Sequence, residues 1–189
     1  MLVIVATPGS AIANSYETLA EAQAYFESRL PLAGWDDADS QDVLLAMATR
    51  VLDMLARPHK KLRRIGDTNF YITSRQWTGA PTSSTQRLAW PRTGMFDGNG
   101  NAIPSDVIPQ ALKDAQSELA GQLGTTDTTL DNFVSVSGIT SIKAGSVALT
   151  FKDMIDAHVL PDAVLNLLPP SWFTDELITY PENAEFSVI

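Results

Sequence analysis

Apolar residues recur at helical spacing in three stretches of the chain. Leu19, Ala22, Tyr25 and Phe26 lie three and four residues apart, which predicts a first helix with Tyr25 and Phe26 on or beside its buried face. Thr18-Leu-Ala-Glu21 forms a capping box at its start, the Thr hydroxyl accepting the Glu amide while the Glu carboxylate reaches back. Pro31 ends this helix near Arg29 or Leu30, because the residue before a proline is pushed out of the helical region. A loop carrying Trp35 follows. Val43, Leu44, Met47, Ala48, Val51, Leu52 and Leu55 predict a second helix, capped by Asp39 or Ser40, running to about Ala56 and stopped by Pro58. Leu112, Ala115, Leu119 and Leu123 predict a third, capped by Ser105 or Asp106, with Pro109 in its first turn and Gly121 or Gly124 at its end.

The intervening stretch 57–104 has no such period. Asn69-Phe-Tyr-Ile-Thr73 reads as a short strand, Pro81–Thr85 as a polar turn and Asp97-Gly-Asn-Gly-Asn101 as a tight turn, since Gly and Asn tolerate positive φ. A segment this long with little helix is an interaction surface or a functional loop. Beyond the third helix, Phe133–Ser137 and Ser146–Phe151 read as strands around a turn at Lys143-Ala-Gly145. Pro161–Leu168 is a short helix ended by Pro169-Pro170. The pattern as a whole predicts a mainly α fold: a small helical bundle with a long central loop or hairpin insertion, a short β-hairpin and an extended C-terminal arm. Residues 1–170 form one helical domain with the insertion at about 57–104, and residues 171–189 form the arm.

Composition agrees with a single core. The chain has 189 residues, 44% hydrophobic and 19% charged, values of a folded domain. No apolar run exceeds six residues, against roughly 18 or more for a spanning helix, so no membrane association is expected. Met1–Ala6 followed by Ala11-Ile-Ala13 lacks the basic flank of a signal peptide; an extended N-terminal arm or edge strand is the expectation.

Candidate chemistry is sparse. There is no Cys and only two His, His59 and His158, which removes thiolate zinc sites, Cys nucleophiles and a multi-His metal site within one copy. Walker A, GxGxxG, GxSxG and HExxH patterns are missing. Asp97–Asn101 begins like a calcium loop, but Ala102 and Ile108 stand where the turn Gly and the bidentate Glu belong. The sequence therefore predicts no enzyme, no cofactor, no metal and no catalytic residue.

Charge changes the picture more. The net charge is −9, yet Arg57 to Arg92 contains eight basic residues and one acid, Asp67, for a net +7. From Asp153 to Ile189 there are seven acids and no Lys or Arg. A basic middle and an acidic tail suit contacts between neighbouring copies or with two different partners. The densest part is Arg57, Lys60, Lys61, Arg63 and Arg64, predicted to ride on an exposed loop or hairpin. It could meet DNA phosphate or acidic protein, and the acidity of the rest of the chain favours protein. Trp172 and Phe173, large apolar groups in a short arm, are the other candidates for an interface with a neighbouring copy or another partner. Tyr25, Phe26, Trp77 and Trp90 are expected to be packing anchors.

Several of these residues also form a recognisable set. Asn14-Ser-Tyr16, Ala24-Tyr-Phe26 with Arg29, Trp35, Ala48-Thr-Arg50 with Leu52-Asp53, and above all Gln86-Arg-Leu-Ala-Trp-Pro-Arg-Thr-Gly94 with Asp97-Gly98 resemble tailed-phage head-completion, or head–tail adaptor, proteins. Members of that family are sometimes described as DnaT-like single-stranded-DNA-binding proteins. The likeness covers roughly residues 12–170. The segment holding the charge run and Phe70-Tyr71 is longer than the family pattern, and the arm beyond Pro170 lies outside it. The resemblance implies a homo-oligomeric ring, usually of about twelve copies, beneath the portal protein. Such a ring contacts a tail or further neck protein and lets DNA pass through its channel without sequence-specific binding. It implies a place in the virion neck, after assembly in the host cytoplasm. The alternative is a single-stranded-DNA-binding replication accessory protein, which should be basic over a broad face rather than acidic overall.

Overall fold

The capping box opens helix α1, Leu19–Glu27: Glu21 N–H donates to Thr18 Oγ1 at 3.2 Å and Thr18 N–H to Glu21 Oε2 at 2.7 Å. The helix stops short of the expected Arg29 because the Ser28 hydroxyl donates to the Tyr25 carbonyl at 2.7 Å and closes the last turn. Arg29 instead pairs with Glu118 and lies over the Phe26 ring. The structure, a computed structural model, describes residues 2–55, 60–65, 68–73, 75–126, 141–144, 147–150, 160–174 and 177–179. Arg57, the expected strand at 133–137 and the tail from 180 onward lie outside the described residues.

Trp35 is not in an open loop. Ala33–Asp36 forms one helical turn, α2, closed by the Leu32 amide donating to Asp36 Oδ2 at 2.8 Å. Its approach to helix α4, Gln110–Thr125, depends on a missing side chain: a Cβ on Gly34 would stand 2.2 Å from the Gly121 carbonyl oxygen. Trp35 stacks on Phe26 with ring centroids 4.3 Å apart. Gly121 and Gly124, expected to end α4, therefore sit inside it and serve close packing against Phe26, Leu32 and Gly34.

Helix α4 also begins later than expected. Pro109 is its N-cap, while Ser105 and Asp106 form a separate turn. Ile108 precedes a proline, so helical geometry is disfavoured there and the helix starts only beyond Pro109. Leu112, Ala115, Leu119 and Leu123 are all buried. Helix α3, Gln41–Met54, is rotated by about one residue from the expected stripe. Its deepest positions are Leu45, Ala48, Thr49 and Leu52, while Val43 is exposed and Leu44, Met47 and Val51 are partly buried. The rotation follows from cover on two sides. Gln116 of α4 reaches the Leu45 carbonyl from one side, and the loop bearing Trp90 packs from the other.

The N-terminal segment is an extended arm. Asn14 holds it as a neighbouring strand would, accepting from Val5 N–H at 2.8 Å and donating to the Val3 carbonyl at 2.9 Å.

The β structure is peripheral. Strands β1, Lys60–Ile65, and β2, Thr68–Thr73, form an antiparallel hairpin, so the basic run lies on a strand. Two-residue strands β3, Ala80–Pro81, and β4, Arg92–Thr93, pair locally. Strands β5, Ser141–Ala144, and β6, Val147–Thr150, make a second hairpin. Helix α5, Asp162–Leu165, leads through Pro169-Pro170 into a 3-10 turn, Pro170–Trp172. Strand β7, Leu177–Thr179, adds to β2, giving the order β1-β2-β7. The fold is mainly helical with small antiparallel hairpins. Among the described residues, no helix is long and apolar enough to cross a membrane.

Candidate interface and its scaffold

The residues that carry the sequence signature build an internal scaffold. Tyr16 is 1% exposed and its hydroxyl donates to Asp53 Oδ1. Asp53 Oδ1 also accepts the Ala89 amide at 3.2 Å, tying α3 to the loop before Trp90. Burial, with the Asp53 charge second, pushes the Tyr16 phenol well above its usual pKa, so the phenol remains a donor. Gln86 organises the same loop, donating to the Leu88 and Pro91 carbonyls and accepting the Ser83 amide.

Arg92, 6% exposed, closes the corner. Its guanidinium donates to the carbonyls of Thr78 at 2.7 Å, Gly79 at 2.9 Å and Ala89 at 3.1 Å. Burial lowers its pKa, and the charge of Asp53 opposes that lowering. Arg92 thus belongs to the fold although it was counted with the basic segment by sequence.

Against this corner the aromatic side chains cluster. Trp77 meets Trp90 edge-on at 5.6 Å and stacks on Phe173 at 4.8 Å, while Trp172 packs on Trp90 at 4.8 Å. The Trp172 indole donates to the Phe96 carbonyl at 2.7 Å and its carbonyl accepts the Thr78 amide at 2.8 Å. Trp172, expected to reach a neighbouring subunit, is 2% exposed inside its own chain, and Phe173 is half-buried beside Trp77. An aromatic pair in an arm too short to fold alone still buries itself when a tryptophan-lined corner of the same chain lies within reach. Phe26, Trp77 and Trp90 are buried anchors, and Tyr25 is half-buried with its hydroxyl on Glu118.

The cluster positions the basic hairpin. The Trp77 amide donates to the Leu55 carbonyl at 3.1 Å, pinning together the two ends of the excursion that carries β1 and β2. Trp77 faces Phe173, and Thr73, Ile72 and Tyr71 face Leu177, Ile178 and Thr179. These pairs share one register, so Phe173 and Leu177–Thr179 line up beside Trp77 and β2.

Register assigns the hairpin residues to faces. Lys60, Leu62 and Arg64 share a face with Tyr71, while Lys61, Arg63 and Ile65 share the other with Phe70. Each face carries two cationic positions and one aromatic. Strand β1 is the sheet's edge, where Lys and Arg also discourage unwanted strand pairing. In the described contacts between elements, the sheet packs mainly within itself and not on the helices.

Two features had no sequence forecast. Phe96, just before the Asp97 turn, is 52% exposed beside a groove of about 620 Å³. Asp97 Oδ1 accepts the Asn99 amide at 2.9 Å and the Asn101 amide at 2.8 Å, and Oδ2 accepts the Asn101 side chain at 3.0 Å. The Asn101 side chain and then its amide hold the Asp97 carboxyl below its usual range. A large apolar residue ahead of a turn was the available signal.

The second is Glu17, 1% exposed, which accepts from the Ser117 hydroxyl at 2.7 Å. Burial pushes it up to about 8, against the lowering effect of that hydrogen bond. The unfolded chain ionises this group near the ordinary 4.5, so its contribution to stability is full below that pH and is lost as pH rises through about 8. From pH 4.5 to pH 7 the loss is on the order of 3 kcal/mol at about 1.4 kcal/mol per unit. Glu17→Gln, which keeps an acceptor for Ser117, should flatten this slope and exceed the wild type in stability at pH 8. Urea melts at pH 5 and pH 8 with equal slopes for both proteins would contradict it.

Among the described residues no group of three or more His, Cys, Asp or Glu side chains converges as a metal site. No curated protein and no solved structure matched the chain. The family model for "Putative DnaT-like ssDNA binding protein" matches residues 59–174, a span that runs from the basic hairpin through the Trp-Pro-Arg corner and α4 to the Trp172 turn. With well over half its length matched, the chain belongs to this DnaT-like family.

Proposed function

We propose that the chain is a structural protein of a tailed phage: a head–tail adaptor that assembles into a ring under the portal, extends the DNA channel and docks a tail or further neck protein. The observation that carries this reading is the basic β1-β2-β7 sheet, whose described contacts between elements lie within the sheet itself. A three-stranded sheet with cationic positions on both faces is marginal by itself, and a neighbouring subunit would supply what it lacks. The signature residues support the same reading, because Tyr16, Asp53, Trp90 and Arg92 are consumed in the scaffold. In this reading the protein is not an enzyme, needs no cofactor and resides in the virion neck. Native mass measurement and electron microscopy of the purified chain test it: a closed ring is expected, and a monomer at all concentrations would end it.

A second reading has a specific observation behind it. The hairpin places an aromatic and two cationic positions on each face, the combination that tracks and stacks a single strand, and the family description names single-stranded DNA. Binding of oligo-dT by the monomer, lost with salt, would favour this replication-accessory role.

A further inference from the structure

We propose that the groove between the Asp97–Asn101 turn and the segment that follows α5 receives the basic β1–β2 hairpin of a second copy of this chain. The proposal rests on the ring reading and supplies its contact. One wall is Phe96 and Asp97; the other is Asn166, Leu167, Pro169 and Pro170. Both walls are set before an occupant arrives. Asp97 is locked by three hydrogen bonds from Asn99 and Asn101. The prolines fix φ on the opposite side, and the Trp172 indole clamps the Phe96 carbonyl between the walls.

The lining defines the occupant. Asp97 is the charged residue among the groove's lining, no Lys or Arg joins it, and Asp162, at the start of α5, stands one helical turn before the lining residue Asn166. A carboxylate beside apolar walls repels phosphate, so nucleic acid is disfavoured. It suits Lys and Arg, whose stems cover apolar surface while the head pairs with the carboxylate, or lies over an aromatic ring such as Phe96. The chain holds one dense source of such residues, Lys60, Lys61, Arg63 and Arg64 on the edge strand β1. Hairpin and groove are different surfaces, so the contact is head-to-tail, the type that closes into rings.

Sedimentation velocity on the full chain tests this with Phe96→Ser, with Asp162→Lys, and with a hairpin variant carrying Glu at positions 60, 61, 63 and 64. Asp162 is exposed and outside the core, so its variant keeps the fold even if another does not. Each variant should lower the self-association constant roughly tenfold or more at unchanged melting temperature. Mixing the Asp162 variant with the hairpin variant should give a 1:1 complex, since the intact hairpin of the first fits the intact groove of the second. If the wild type assembles and all three variants assemble equally well, the groove assignment is overturned while the ring stands. A wild type that stays monomeric overturns both. A hairpin variant that assembles normally but loses affinity for oligo-dT gives the hairpin to nucleic acid and overturns the assignment.

Discussion

Replacing Trp172 by Ala should cost about 3–5 kcal/mol of stability and lower the melting temperature by on the order of 10 °C. Three losses combine. The indole leaves a void between Trp90 and Trp77. The Phe96 carbonyl loses its donor. The turn that carries Thr174 onto Gln76 also loosens, and with it the start of the β2–β7 ladder. A chain ending at Pro170 should fare worse, because it also lacks Phe173 and β7. This reverses the expectation from sequence, in which Trp172 and Phe173 sit in an extended arm as candidates for a contact outside their own chain. Urea denaturation of Trp172→Ala checks the point; a change under about 0.5 kcal/mol, the range of a surface substitution, would show that the core closes without it.

Arg92→Met should be comparably damaging, at about 3–5 kcal/mol. Three backbone carbonyls, of Thr78, Gly79 and Ala89, lose their donors in a buried corner. The negative charge of Asp53 loses the attraction of the Arg92 cation. Arg92→Lys should recover only part of the loss, because an ammonium cannot span three divergent acceptors as the planar fork does. If the corner acts as a unit, Asp53→Asn combined with Arg92→Met should cost less than the two single changes added together. Strict additivity in that double-mutant cycle would separate Asp53 from Arg92 and leave the arginine as a local turn device.

Both predictions fall on residues whose importance was partly visible in the sequence. Trp90-Pro-Arg92 stood out as the most specific block, and its membership of a fixed corner could be anticipated from Trp and Pro side by side. What it is fixed to could not. Tyr16 and Asp53 lie 37 residues apart, and Trp172 and Phe96 lie 76 apart; no local pattern encodes such pairs.

Local sequence determined the elements governed by short-range physics. The Thr18–Glu21 capping box, the α4 stripe of Leu112, Ala115, Leu119 and Leu123, the Asp97 turn and the strand around Phe70-Tyr71 depend on neighbours within about a turn of helix or one strand step, so they were legible. The tertiary structure decided the rest. It rotated α3 by about one residue, because burial is set by what covers a helix on each side and not by its own apolar count. It kept Gly121 and Gly124 inside α4, because α2 approaches too closely for a Cβ. It drew Trp172 into the core and paired Leu177–Thr179 with β2, because apolar burial and strand pairing act between segments far apart in the chain. The basic run was readable as charge, but its placement on a sheet edge with cationic positions on both faces came only from the strand register. An ion's partners follow from the fold that surrounds it, and sequence spacing does not contain that information.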